Sequence, residues 1–227
     1  MVRLYSYVVA LDTGFAPNPF HGYCTLATCM PQIRERARKG DWIIGTGSNS
    51  QNRRRGGRLV FAMRVTEKMS FDGYWNDPRF LDKKPIKCAE RMWRCGDNIY
   101  SADPCTGERR SVEWSFHCKP DEKCKDSNSD WVLISNDFVY WGGGGPCFPE
   151  FNGISILFQG RGYKKFPGNG REQEKTAQLG AIQEFVNWFR ERNERGRCGY
   201  PTEWAYRTRK PWGSSWKPCE APSLASL

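Results

Sequence analysis

The chain has 227 residues, enough for one domain with a sizeable core. Its 35 Lys and Arg against 25 Asp and Glu leave a formal charge of +10 and a pI near 9.2. That balance points to a polyanionic partner, because each neutralised phosphate releases counterions. No run approaches the roughly 20 apolar residues of a membrane helix, and no basic amphipathic helix marks a membrane surface. No small-residue cleavage site follows the apolar run Tyr7 to Leu11. The sequence therefore predicts a cytosolic protein whose ten cysteines are thiols. Aromatic residues make up 14%, more than a small core needs, which predicts rings lining a cleft.

In chain order, Leu4 to Leu11 reads as a buried strand and Asp12-Thr13-Gly14 ends it. The loop Phe15 to Tyr23 carries two prolines and is irregular. Pro31 to Lys39 reads as a short helix, with Thr28 as a plausible cap and Gly40 as its stop. Strands follow at Trp42 to Gly45 and at Arg58 to Glu67, separated by a polar loop with Arg53, Arg54 and Arg55. Residues 70–128 read as an irregular insertion of loops and short strands. Trp131 to Tyr140 is a strand interrupted near Asn136-Asp137, and Ile154 to Phe158 is another. A long helix begins at an Asn169/Glu172 capping pattern and buries Leu179, Ile182, Phe185, Val186 and Phe189. The elements predict a single α+β domain over 1–197 and a basic, aromatic tail over 198–227. The tail is equally readable as a nucleic-acid arm and as a cover for apolar surface.

Two motifs carry a resemblance. They are Asp12-Thr13-Gly14-Phe15-Ala16-Pro17-Asn18-Pro19-Phe20 through Cys29, and Gly40-Asp41-Trp42-Ile43-Ile44-Gly45-Thr46-Gly47-Ser48. With Trp131 to Gly142 they resemble the second nucleotide-modification-associated domain family. That resemblance implies hypermodified DNA bases of the kind phages carry, and leaves open whether they are installed, read or removed. The order of elements is also similar to the PUA-like superfamily, with its EVE and YTH domains. It implies a small mixed β-barrel with flanking helices that cages a flipped, modified base.

Chemistry on a base requires taking it out of the stack. Phe15, Phe20 and Tyr23 are the rings expected to stack it, or else to fill the mouth of the barrel. Asp12, Asn18 and His21 are the expected catalytic set. Asp12 would stabilise the sugar cation or activate water, and Asn18 and His21 would position the base or leaving group. Ser48, Asn49, Asp137, Tyr140 and Trp141 complete the substrate contacts, although Asp137 also suits a bulge. Arg53, Arg54, Arg55 and Arg58 are expected to grip phosphates, against the alternative of a solvated loop. The cysteines form no C-x-x-C pair at finger spacing, so no metal is expected, and hydrolysis would need no cofactor.

The sequence thus predicts a DNA glycosylase that removes a bulky modified cytosine, such as a glucosylated hydroxymethylcytosine, from duplex phage DNA in antiviral defence. The first alternative is a non-catalytic reader of modified bases. The second is an accessory protein that binds or processes RNA.

Overall fold

The computed structural model describes residues 1–49, 55–151 and 153–206. The elements in chain order begin with β1 (Leu4–Val9), β2 (Cys24–Leu26), α1 (Pro31–Arg36), β3 (Trp42–Gly47), β4 (Leu59–Arg64) and β5 (Glu67–Ser70). Then come α2 (Phe71–Asn76), a 3-10 turn at Pro78–Lys83, α3 (Arg91–Arg94), β6 (Tyr100–Ala102), β7 (Arg109–Ser111) and α4 (Pro120–Asp126). The chain continues through β8 (Trp131–Ser135), β9 (Asp137–Tyr140), β10 (Tyr163–Phe166), α5 (Glu172–Glu191), β11 (Gly196–Arg197) and α6 (Thr202–Tyr206).

The main sheet has six strands in the order β10-β1-β3-β4-β9-β11, and a three-stranded sheet has the order β2-β8-β5. The α+β class holds. The expected closed barrel does not, because β10 and β11 are separate, unpaired edges among the described residues. β1 runs parallel to β3, so its buried apolar run is covered on both faces. The pairs Glu67↔Ile134 and Arg64↔Asp137 keep one register across the two sheets. One long antiparallel ribbon therefore leaves the main sheet and enters the small one. It bends near Asn136, where the Ser135 hydroxyl accepts from the Asp137 amide.

One face of the main sheet buries Trp42, Ile44, Ala62 and Val139 against Ile182, Phe185, Val186 and Phe189 of α5. Each such side chain contributes roughly 1.5–3 kcal/mol on burial. The other face packs Tyr5, Tyr7, Ile43, Phe61 and Met63 against β2, β8 and α1. A third cluster seats the insertion, through Phe71, Tyr74, Phe80 and Tyr100, on Val132 and Ile134 of the small sheet.

Three expected elements differ, and one strand was not foreseen; the first difference is α5, whose N-cap is Arg171 without a side-chain cap bond in place of the expected Asn169. α1 ends at Arg36, and Met30, without a side-chain cap bond, replaces Thr28 as its N-cap. Ile154 to Phe158 is not a strand, since Gly153 turns at φ +66° and only an isolated Phe151–Ile154 bridge forms. The edge strand is β10, whose two lysines hide its pattern. No described helix is long and apolar enough to cross a membrane. None of the nine described cysteines is in a disulfide.

Candidate functional site

The chain leaves β1 and turns at Asp12, whose side chain is fully buried. A carboxylate is costly there unless donors surround it. Asp12 Oδ1 accepts a short hydrogen bond from the Tyr140 hydroxyl at the end of β9. Oδ2 accepts from the amide of Thr202 at 2.8 Å and from its hydroxyl at 2.9 Å. The Asp12 carbonyl accepts from the Glu203 amide at 3.1 Å. Burial still pushes the Asp12 carboxyl above the usual range, with these hydrogen bonds and Arg55 pulling the other way.

Arg55 is the cation of this cluster, and its side chain is only 8% exposed. Its Nη1 donates to the Thr202 hydroxyl and lies 3.9 Å from Asp12 Oδ2. Its Nε and Nη2, which share the other edge of the guanidinium plane, are buried with no hydrogen-bond partner among the described residues. That edge is the fork that matches two adjacent acceptor atoms.

Arg55 lines a cavity of about 670 Å³ together with Trp141, Gly143, Gly144, Tyr200, Thr202 and Trp204. This volume lies within the range of small-ligand sites. Trp204 stacks on the buried Phe20 at 5.5 Å, and Tyr200 is tilted against Trp204 at 5.9 Å. Trp141 is anchored by its indole N–H to Glu194 at 3.0 Å. The glycine run at 142–145 lets backbone pass close. A Cβ on Gly142 would collide with the Tyr200 carbonyl, and one on Gly145 with the Leu59 carbonyl. β11 then pairs with β9 and directs the chain back to Asp12.

The expected site is only partly assembled. Asp12, Tyr140, Trp141 and Arg55 come together here. Phe15 and Phe20 are buried in the third cluster, and neither is in the lining of this cavity. Asn18 is fully buried, with its side chain bonded to the Cys95 carbonyl, the Phe20 amide and the Lys83 ammonium. It holds the loop from this fully buried position, with its side-chain oxygen engaged twice. His21 stacks on Trp93 at 4.5 Å, and burial, then Lys83, lowers its pKa. Among the described residues no hydrogen bond or ion pair joins it to Asp12, whose side chain meets Tyr140, Thr202 and Arg55. Tyr23 packs edge-on to Phe80. Ser48 and Asn49 brace the Arg55 loop, through the Ser48 carbonyl to the Arg55 amide and the Asn49 side chain to the Gly56 amide. Asp137 sits at the ribbon bend opposite Arg64. Arg58 is exposed and donates to the Gly145 carbonyl. Arg53 and Arg54 lie outside the described residues, as does the chain beyond Tyr206.

Sequence reasoning missed Tyr200 and Thr202, which lie past position 197, and had Trp204 only within the tail readable as a nucleic-acid arm or as a cover for apolar surface. The Trp and Tyr content there was the available signal. It also missed Lys83, a fully buried ammonium that meets the Asn18 carbonyl and side chain, the Tyr23 carbonyl and Thr25. Burial lowers the Lys83 pKa to about 8, against Asp97 nearby. This network fastens the insertion to the loop after β1.

No curated protein and no solved structure matches the chain. Residues 1–208 match the family described as nucleotide modification associated domain 2, which spans the buried Asp12 cluster and the whole aromatic cavity, and the chain belongs to that family.

Proposed function

We propose that the protein binds DNA carrying a modified base and holds that base, turned out of its stack, in the cavity of Trp141, Tyr200, Trp204 and Arg55. The observation that carries this reading is a buried arginine in the lining of an aromatic cavity, Arg55, whose Nε and Nη2 have no partner among the described residues. Flat rings favour a base or a sugar face, at about 1–3 kcal/mol per stacked base. The Arg55 fork favours an appended group with two adjacent acceptor oxygens. The charge of +10 and the family's tie to nucleotide modification support a nucleic-acid source.

Holding the base has better support than cutting it. Both Asp12 oxygens are engaged and the side chain has no exposure, so Asp12 serves to position Thr202 and Arg55.

The test uses duplexes with unmodified, hydroxymethylated and glucosylated cytosine, assayed for retention and, after alkali, for strand breaks. Retention of a modified duplex without breaks supports the reading. Breaks confined to modified duplex replace it with base excision. Preference for modified single-stranded RNA replaces it with an RNA role.

A further inference from the structure

Away from the cavity, three groups that base binding leaves unused form a chain of contacts. Cys29 Sγ lies 3.6 Å from His117 Nε2, and His117 Nδ1 lies 2.6 Å from Asp126 Oδ2. They come from three places: the turn before α1, the segment before α4 and the last residue of α4. Asp126 is 1% exposed and is fixed by Tyr100, whose hydroxyl donates to Oδ2 at 2.9 Å. Its other oxygen accepts the Cys29 amide at 2.7 Å. The buried Arg34 ties both ends, donating to the Cys29 and Asp126 carbonyls.

Two features set the cluster apart from packing. Cys29 and Met30 adopt φ +58° and +40°, a left-handed backbone that costs a non-glycine residue roughly 1–2 kcal/mol. Such strain persists where surrounding contacts over-determine it, often at functional sites. The sulfur and the carboxylate also address opposite nitrogens of one imidazole. One ligand atom from each of the three lies within 4.8 Å of the others, yet three is the smallest protein set of a zinc site, and the imidazole stands between the sulfur and the carboxylate. A base between a thiol and an orienting carboxylate is instead the arrangement of an activated nucleophile.

We propose that Cys29 is a nucleophilic thiol, with His117 as its proton acceptor and Asp126 as the positioning residue for the imidazole. Sγ attacks an electrophilic carbon. The C–S bond forms as the bond from that carbon to its leaving group breaks, and the electron pair departs with the leaving group. The thiol proton passes to Nε2. Burial lowers the affinity of His117 for a proton, but the bonds to Asp126 and Cys29 outweigh it and raise the pKa to about 10. The substrate class is an alkyl donor. Attack on an acyl carbon would need an oxyanion donor, and the Cys29 amide, the nearest one, is already spent on Asp126.

Iodoacetamide is the probe, with labelling of each cysteine followed by peptide mass spectrometry on the folded full chain at neutral pH. Cys29, although half-buried, should be alkylated at least about tenfold faster than the exposed Cys88 and Cys105. His117→Ala should slow Cys29 about tenfold and leave Cys88 unchanged. Labelling of Cys29 no faster than Cys88 in the unsubstituted protein overturns the proposal, and that comparison needs no variant to fold. An unchanged Cys29 rate in a folded His117→Ala protein overturns it too.

Discussion

Thr202 binds Asp12 twice, through its amide at 2.8 Å and its hydroxyl at 2.9 Å, across 190 positions of sequence. This double contact places the segment after β11 over the end of β1. It also sets the wall of the cavity, because Thr202 accepts a hydrogen bond from Arg55 Nη1, and the other guanidinium edge has no partner among the described residues. Asp12 is thus the keystone beneath the binding surface.

Removing that keystone should loosen the fold and the site together. Asp12→Ala strands the Arg55 cation and the Tyr140 hydroxyl in a buried place. Breaking one side of a buried ion pair costs roughly 3–5 kcal/mol. Urea unfolding should show a loss of that order, and a stability equal to that of the unsubstituted chain would refute the role given to Asp12.

Tyr200 offers the opposite test. It is 64% exposed, so its ring contributes little to the core. Tyr200→Ala should weaken binding of modified duplex by roughly ten- to a hundredfold, the loss of one stacking face. Its Tm should stay within a degree or two of the unsubstituted value, since exposed sites change stability little.

A second concavity, lined by Arg3, Arg36, Arg38, Lys164 and Lys165, lies at the other end of β1. Arg3 is already paired with Asp41 at 2.7 Å. Lys164 and Lys165 are the better phosphate ligands. Glu at both positions should weaken binding equally for modified and unmodified duplex and should flatten the salt dependence by about one unit of slope per contact. A selective loss for modified duplex would contradict this division of labour.

His117 and Lys83 should give opposite pH signatures. The folded pKa of His117 is raised to about 10, so its stabilisation is complete below the unfolded value near 6.5 and is lost as pH rises towards 10. Lys83 is lowered to about 8, so its burial penalty is complete below 8 and fades towards the unfolded value near 10.4. The stability advantage of the unsubstituted chain over His117→Gln should therefore shrink from pH 6.5 to 10. Denaturant midpoints across that range check it, and a constant difference would contradict the raised His117 value.

The sequence made the long, periodic elements legible. The buried run of β1, the alternation of β4 and the α5 stripe ending at Phe189 all fold as their patterns indicate. The break at Asn136 was legible as well, because polar residues interrupt an apolar strand. The short helices of the insertion were not, since α2 and α4 have six and seven residues and carry under two turns of period. Asp12 was legible as the residue that ends a core strand. Its partners were not, because Tyr140, Thr202 and Arg55 meet it only in the folded chain. Phe15 and Phe20 show the converse: aromatic residues in a loop are as able to fill a core as to line a pocket, and here they fill the core behind Trp204.

The most direct measurement is the dissociation constant for two duplexes that differ only in one glucosylated hydroxymethylcytosine, determined with the unsubstituted chain and with Arg55→Met. The unsubstituted chain should prefer the modified duplex by at least about tenfold, and Arg55→Met should abolish that preference while retaining the weaker, salt-sensitive binding to both. Equal affinity of the unsubstituted chain for the two duplexes would contradict a cavity built to hold a modified base.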